Sequence, residues 1–142
     1  MKFSGHETFA CRYAWLTKAV TAVNTENDIL TARREDDAMA ELGVGKNMVR
    51  STRFWAEAVG VLEPCEVGHA VSEFGRKLFI ESTGTRGKKR PALDPYLEDV
   101  QTLWLIHWRL STNQNSLIFA WDFLLNRFQE PYLHTKSVLR AL

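Results

Sequence analysis

Three groups of side chains in this sequence are of types that could bind or transform something. The first is His6, Glu7 and Cys11, whose atoms could ligate a metal or move a proton. Their spacing is poor for either, because positions five apart on a helix do not face each other and no third histidine lies near. Ser4 and Glu7 instead have the S-x-x-E spacing of a capping box, in which hydroxyl and carboxylate satisfy each other's backbone N–H groups at a helix start. The expectation is a helix beginning here, with no metal and no catalytic residue. The second group is Lys46, Asn47, Arg50 and Arg53. Lysine and asparagine at a helix N-terminus can reach base edges, asparagine suiting adenine, and guanidinium groups one and two turns further on can meet phosphate or guanine. Glu57 lies on the same face and would repel phosphate unless it faces away. The third group is Arg86, Lys88, Lys89 and Arg90, a cationic run that can hold phosphates without reading sequence.

Other chemistry finds little support. His107, set between Trp104 and Trp108, reads as a hydrogen-bonded core histidine. No glycine-rich phosphate loop, Ser-His-Asp order or nuclease-like carboxylate set stands out, so neither an enzyme nor a cofactor is expected. Cys11 and Cys65 form no Cys-x-x-Cys pair and have no histidines clustered around them, which points to reduced thiols in a cytoplasmic protein rather than to zinc or a disulfide. The N-terminus lacks the apolar core of a signal peptide, and charges interrupt the apolar runs, so no membrane span is expected.

These groups need elements to position them. With 142 residues, 45% of them hydrophobic, the chain is long enough for one domain or for a small domain and the start of another. Five Trp, eight Phe and three Tyr require a dense interior or a large interface. Phe9, Tyr13, Leu16, Val20 and Val23 recur at helical spacing and should form a core stripe that fades near Asn24 and Thr25. Asp36 or Asp37 can start a short second helix through Ala38, Met39 and Leu42, which Gly43 ends. A third helix from Lys46 to about Val59 places Met48, Thr52, Trp55, Ala56 and Val59 on one face and Lys46, Arg50 and Arg53 on the other. Residues 60–64 end it, and residues 65–71 read as a small β-hairpin. Ser72 caps a fourth helix through Phe74, Leu78, Phe79 and Ile80, and residues 82–90 read as a flexible loop.

Asp94 and Pro95 form a strong helix start, followed by an apolar run from Leu97 to Leu110 that should be buried between other helices. A further helix from Leu117 to Phe128 should pair with it antiparallel. The last segment, from His134, reads as a new amphipathic helix that stops without a C-cap, as though the chain were truncated. Trp121, Phe128 and Leu139 should then be partly exposed, which favours self-association as a homo-oligomer. The charges are uneven: Glu26, Asp28, Glu35, Asp36, Asp37 and Glu41 outnumber Arg33 and Arg34 in one stretch, so any anion-binding surface must be local.

The resulting fold class is mainly α. A winged helix-turn-helix domain with a small β-hairpin wing occupies residues 1–85, a basic loop residues 86–93, and a truncated helical extension with an antiparallel helical hairpin residues 94–142.

The segments Phe3-Ser4-Gly5-His6-Glu7-Thr8-Phe9, Leu42-Gly43-Val44-Gly45-Lys46-Asn47-Met48-Val49-Arg50 with Phe54-Trp55, and Asp94-Pro95-Tyr96-Leu97-Glu98-Asp99 leading to Trp104 and Trp108 closely resemble a bacterial family of unknown function, domain-of-unknown-function family 4007. That resemblance implies a winged-helix protein encoded beside the sulfur-transfer and DNA-modification genes of phosphorothioation and phage-defence loci. It implies an accessory DNA-binding role, adds weight to Lys46, Asn47 and Arg50, and carries no catalytic residues. Proteins of that family continue well beyond the point where this chain stops. The expected partner is double-stranded DNA. The alternative is a non-enzymatic adaptor that contacts other subunits of such a complex through an aromatic surface.

Overall fold

A computed structural model of the chain describes residues 5–84, 87–113 and 118–141. Helix α1 (Tyr13–Thr25) buries Trp15, Leu16, Ala19, Val20, Ala22 and Val23 and ends where its apolar stripe ends. It begins later than the capping-box spacing predicts. Glu7 and Thr8 sit at φ 47° and 65°, a left-handed conformation that a right-handed helix cannot contain, and Arg12 occupies the N-cap. Ser4 lies outside the described residues. Tyr13, expected in the core stripe, is exposed.

After a 3-10 turn (Ala32–Arg34), helix α2 (Glu35–Leu42) carries Glu35, Asp36 and Asp37 in its first turn, where carboxylates oppose the helix dipole. Gly43 ends it at φ 65°, donating its N–H to the Met39 carbonyl. Helix α3 (Lys46–Val59) follows at the predicted boundaries. The predicted core positions Thr52, Trp55, Ala56 and Val59 are buried, but so are Val49, Ser51, Phe54 and Ala58. The helix is enclosed on most sides because α1, α2 and the strand that follows all pack on it.

Strands β1 (Leu62–Cys65) and β2 (Gly68–Val71) pair antiparallel, with Leu62 opposite Val71 and Cys65 opposite Gly68. The hairpin begins three residues before the predicted start, at Leu62 instead of Cys65. Pro64 does not prevent this, because every strand of a two-stranded sheet is an edge. Gly68 is obligatory: at φ 93° a Cβ there would lie 2.2 Å from the Asn27 carbonyl oxygen. That approach lets the His69 N–H donate to Asn27 at 2.8 Å, tying the hairpin to the segment after α1.

Helix α4 (Glu73–Phe79) is capped by Ser72 as predicted, its Oγ accepting from the Gly75 N–H at 2.9 Å and donating to the Gly60 carbonyl at 2.7 Å. The predicted flexible loop is instead partly ordered into a second short ladder, with β3 (Ser82–Thr83) antiparallel to β4 (Lys89–Arg90).

Asp94 does not start a helix. Leu97, at φ 57°, breaks the path, and helix α5 (Val100–Thr112) begins under Asp99, whose carboxylate accepts from the Gln101 N–H at 2.8 Å. Asp94 is buried and closes the preceding turn by accepting from the Glu98 and Asp99 N–H groups. Burial pushes its pKa up, but those donors, with the Leu97 N–H and the Thr102 hydroxyl, hold it below the usual carboxylate range. The buried α5 expected from composition is also corrected: it buries Ile106, Leu110 and Ser111, while Val100, Trp104 and Trp108 are exposed. His107 is likewise no core histidine but an exposed one beside Trp104. The last helices are α6 (Phe119–Asp122), continued by a π-helical turn (Phe123–Arg127), and α7 (Thr135–Ala141). α6 packs on α5, and the Asn126 amide donates to the Ser111 carbonyl at 2.7 Å. Trp121 and Phe128 are half-buried and Leu139 is exposed.

The chain is therefore mainly helical with small antiparallel ladders. Among the described residues, no helix is long and apolar enough to cross a membrane. Because Trp55 is buried and donates its indole N–H to the Phe9 carbonyl at 2.9 Å, Trp55→Ala should cost about 3–5 kcal/mol in urea unfolding. Ser72→Ala should cost about 0.5–2 kcal/mol by the same measurement, through loss of its cap.

Candidate nucleic-acid interface

The turn Gly43-Val44-Gly45 delivers the first turn of α3 to the surface, so Lys46 and Asn47 are exposed. Arg50, one turn on, is half-buried. The three cations of the helix do not stand free in solvent. Lys46 Nζ lies 2.8 Å from one Glu35 carboxylate oxygen, and Arg50 Nε donates to the other at 2.7 Å. Glu35 is nearly covered, its side chain 11% exposed. The Arg50 hydrogen bond and then the Lys46 one pull its pKa down to about 2. In return, Glu35 and, more weakly, Glu7 raise the pKa of Arg50. Arg53, a residue further round the helix, donates from Nη1 to the Leu30 carbonyl at 3.0 Å.

Beyond this ion cluster the outer face of α3 forms one side of a cleft of about 630 Å³, lined by Arg50, Arg53, Glu57, Thr31, His69 and Gly5 among others. Glu57 does not face away from the basic stripe: it shares this cleft, and its Oε1 lies 3.0 Å from His69 Nε2. His69 is buried, and its Nδ1 has no hydrogen-bond partner among the described residues. Sequence reasoning missed Glu35 and His69. An acidic first turn before a basic helix could have indicated the first. The period of two along β2 could have indicated the second, since it puts His69 and Val71 on one face.

The other basic group sits elsewhere. Lys88, Lys89 and Arg90 are exposed, Lys89 lying 3.9 Å from Glu81, and Arg90 lines a cleft of about 390 Å³ with Arg76 and Lys77 of α4. Arg86 lies outside the described residues. The N-terminal cluster is divided by its packing: the His6 ring meets Phe54 edge-on and Trp55 at a tilt, with centroids 5.8 and 5.9 Å away, while burial pushes the Cys11 thiol up to about 12. Among the described residues, no group of three His, Cys, Asp or Glu side chains could hold a metal ion.

A mainly helical chain with small two-stranded antiparallel ladders is thus the class that the geometry defines. The chain belongs to the family described as protein of unknown function (DUF4007), whose model matches residues 3–142. No curated protein matches it. Among solved structures it is similar to the SspB crystal structure, at 30% identity and a TM-score of 0.70, over 99% of this chain and 42% of that one. It is also similar to the magnesium ion-bound SspB crystal structure, at 29% identity and a TM-score of 0.70, over 98% of this chain and 41% of that one. The chain therefore spans less than half the length of the SspB chains it matches.

Two outcomes test this chemistry. Glu35 has a depressed pKa when folded, so its contribution to stability is complete above the ordinary value of 4.5 and is lost as pH falls toward about 2. Glu35→Gln should therefore be less stable than the parent in urea at pH 6, and the gap should close progressively between pH 4.5 and 2; a constant gap would remove the ion cluster as its cause. At pH 8 a thiol-exchange reagent should label Cys65, which is exposed, and leave Cys11 unmodified until the protein is unfolded.

Proposed function

We propose that this chain is a DNA-binding module of the winged helix-turn-helix kind, acting in the cytoplasm as an accessory part of a DNA-modification or phage-defence system such as phosphorothioation. The observation that carries this reading is the order α2, tight glycine turn, α3, short hairpin, with Lys46 and Asn47 exposed on the first turn of α3. In that architecture α2 crosses the DNA backbone and α3 offers its N-terminal residues to the major groove. Glu35 supports it further: one carboxylate holds Lys46 and Arg50 side by side, so that this three-residue cluster carries two cations against one anion. Lys88, Lys89, Arg90 and Arg86 supply phosphate contacts that carry no sequence information. The chemistry of any larger assembly lies in other parts, and this module positions DNA for it.

A second reading, an adaptor for another subunit, is favoured by α5. Val100, Trp104 and Trp108, spaced four apart, are 62%, 68% and 59% exposed, and exposed indoles of this kind are typical anchors of protein interfaces.

Fluorescence anisotropy on random-sequence duplexes at several salt concentrations separates the two. Lys46→Ala with Arg50→Ala should weaken binding and reduce the log–log salt slope by about two, roughly one for each phosphate left without its cation, with the fold checked by circular dichroism. Asn47→Ala should leave the slope unchanged and relax preference by about 1–3 kcal/mol at one base pair. Unchanged duplex binding in the double variant would leave the adaptor reading in its place.

A further inference from the structure

Helix α5 has a face that neither the core nor the basic surface of α3 uses. Val100, Trp104 and Trp108 recur every four residues and so form one ridge along it. All three are exposed, as is Leu105 beside them. Residues 100–108 contain no Asp, Glu, Lys or Arg, although a solvated helix face ordinarily carries such charges. Ionic groups stand only at the ends of this stretch. Glu98 and Asp99 precede it, and Arg109 follows it with its guanidinium turned inward, to the Val59 carbonyl and over the Phe74 ring.

The size and charge of the ridge say what can cover it. Aromatic side chains bury about 150–250 Å² each, so two indoles at these exposures, with Val100 and Leu105, offer about 500 Å² of apolar surface. A specific interface needs about 1,000 Å² counted over both partners, and a second copy of the same ridge supplies the other half. An uncharged ridge is also its own complement: it presents no charge that a copy of itself would repel, and none that calls for an opposite charge on a different partner. Laying α5 on α5 in parallel would set the acidic starts side by side. The antiparallel arrangement separates Glu98 and Asp99 of the two copies and opposes the helix dipoles. It puts a two-fold axis at Trp104 and sets Val100 of each copy against Trp108 of the other.

We propose that the chain pairs with a second copy of itself through this ridge, α5 against α5 and antiparallel. The pairing goes beyond the DNA-binding reading and does not depend on it. Where that reading holds, Arg109 and Asn113 fasten α5 to the last turn of α3, so each pair carries two α3 helices in fixed relation, as helix-turn-helix dimers do on paired half-sites. The ridge is the one that favours the adaptor reading, with a copy of the chain in place of a foreign subunit.

Sedimentation velocity of the chain without DNA, from about 1 to 500 µM, should show a reversible monomer–dimer equilibrium with a Kd of micromolar order, as suits an interface at the lower bound of size. Trp104→Glu should weaken it about 100-fold or more, because each dimer meets the change twice. Val67→Glu, at a similarly exposed apolar residue on the hairpin tip, should leave it unchanged. Circular dichroism and thermal midpoints of dilute samples check that these exposed substitutions leave the fold intact. Val100→Lys and Trp108→Glu should each dimerise poorly alone and associate when mixed, since the antiparallel contact brings the two positions together. A mixture no tighter than either variant alone overturns the antiparallel pairing. A chain that stays monomeric at every concentration overturns the proposal and leaves the ridge to a different protein, and a dimer that Trp104→Glu leaves intact overturns it too. Neither result touches the duplex reading, which Lys46 and Arg50 variants test with DNA present.

Discussion

Helix α3 is buried along most of its circumference, and the rest of the structure is arranged around that. Helices α1, α2 and α5 and strand β1 all contact it. Its last turn would leave carbonyls unsatisfied inside the protein, and a lone glycine cap does not satisfy them all. Two side chains at the C-terminal end of α5, Arg109 in its last turn and the C-cap Asn113, supply the missing donors. Arg109 Nε donates to the Val59 carbonyl at 2.9 Å, and Asn113 Nδ2 donates to Ala58 at 3.2 Å. Gly60 is the residue that permits this. It stands at φ 76°, and a Cβ there would lie 2.7 Å from Arg109 Nη2. The C-terminal end of α3 is therefore closed by protein, and its N-terminal end and one strip of its side are what remain for a ligand.

Charge follows the same logic. Glu35, nearly covered, would be costly as a lone carboxylate, and its two cationic partners offset that cost while fixing where those cations stand. The acidic stretch after α1 is tied down in a comparable way. Arg34 binds Asp28 at 2.8 Å, Asp37 at 2.9 Å, and Glu26. These three carboxylates converge on one guanidinium at the surface, so the acidic stretch is ordered by Arg34 but keeps a net negative charge. The pairing is local, and the basic first turn of α3 keeps its own surface.

The parts legible in sequence were those set by local rules. The boundaries of α3, the glycine stop of α2, the serine cap of α4 and the presence of a hairpin after α3 all follow from residues within a few positions of each other. The misreadings came from two sources. Local capping patterns competed with backbone geometry that only the fold specifies: left-handed residues Glu7, Thr8 and Leu97 displaced the starts of α1 and α5, although Ser4, Asp94 and Pro95 have the expected chemistry. Partners far apart in sequence were invisible too. The basic stripe was readable as a pattern, but its engagement by Glu35, fifteen positions before Arg50, and the convergence of Glu57 with His69 of the hairpin, depend on tertiary packing.

The exposed tryptophans of α5 have the same origin as the closed end of α3. A helix that must present Ile106, Arg109, Leu110 and Asn113 inward, at spacings of three, one and three, has committed one face to the core and to the terminal carbonyls of α3. Arg109 is held further by the Phe74 ring, 4.2 Å from its guanidinium carbon. Positions 100, 104 and 108 fall on the other face whatever residues occupy them. Hydrophobic content alone offers no direction, because α5 is apolar on both faces, and the polar residues Arg109 and Asn113 decide which one is buried. Two indoles at outward positions are then a feature that internal packing does not require, and it is this face, not the strip of α3, that a partner protein would find apolar.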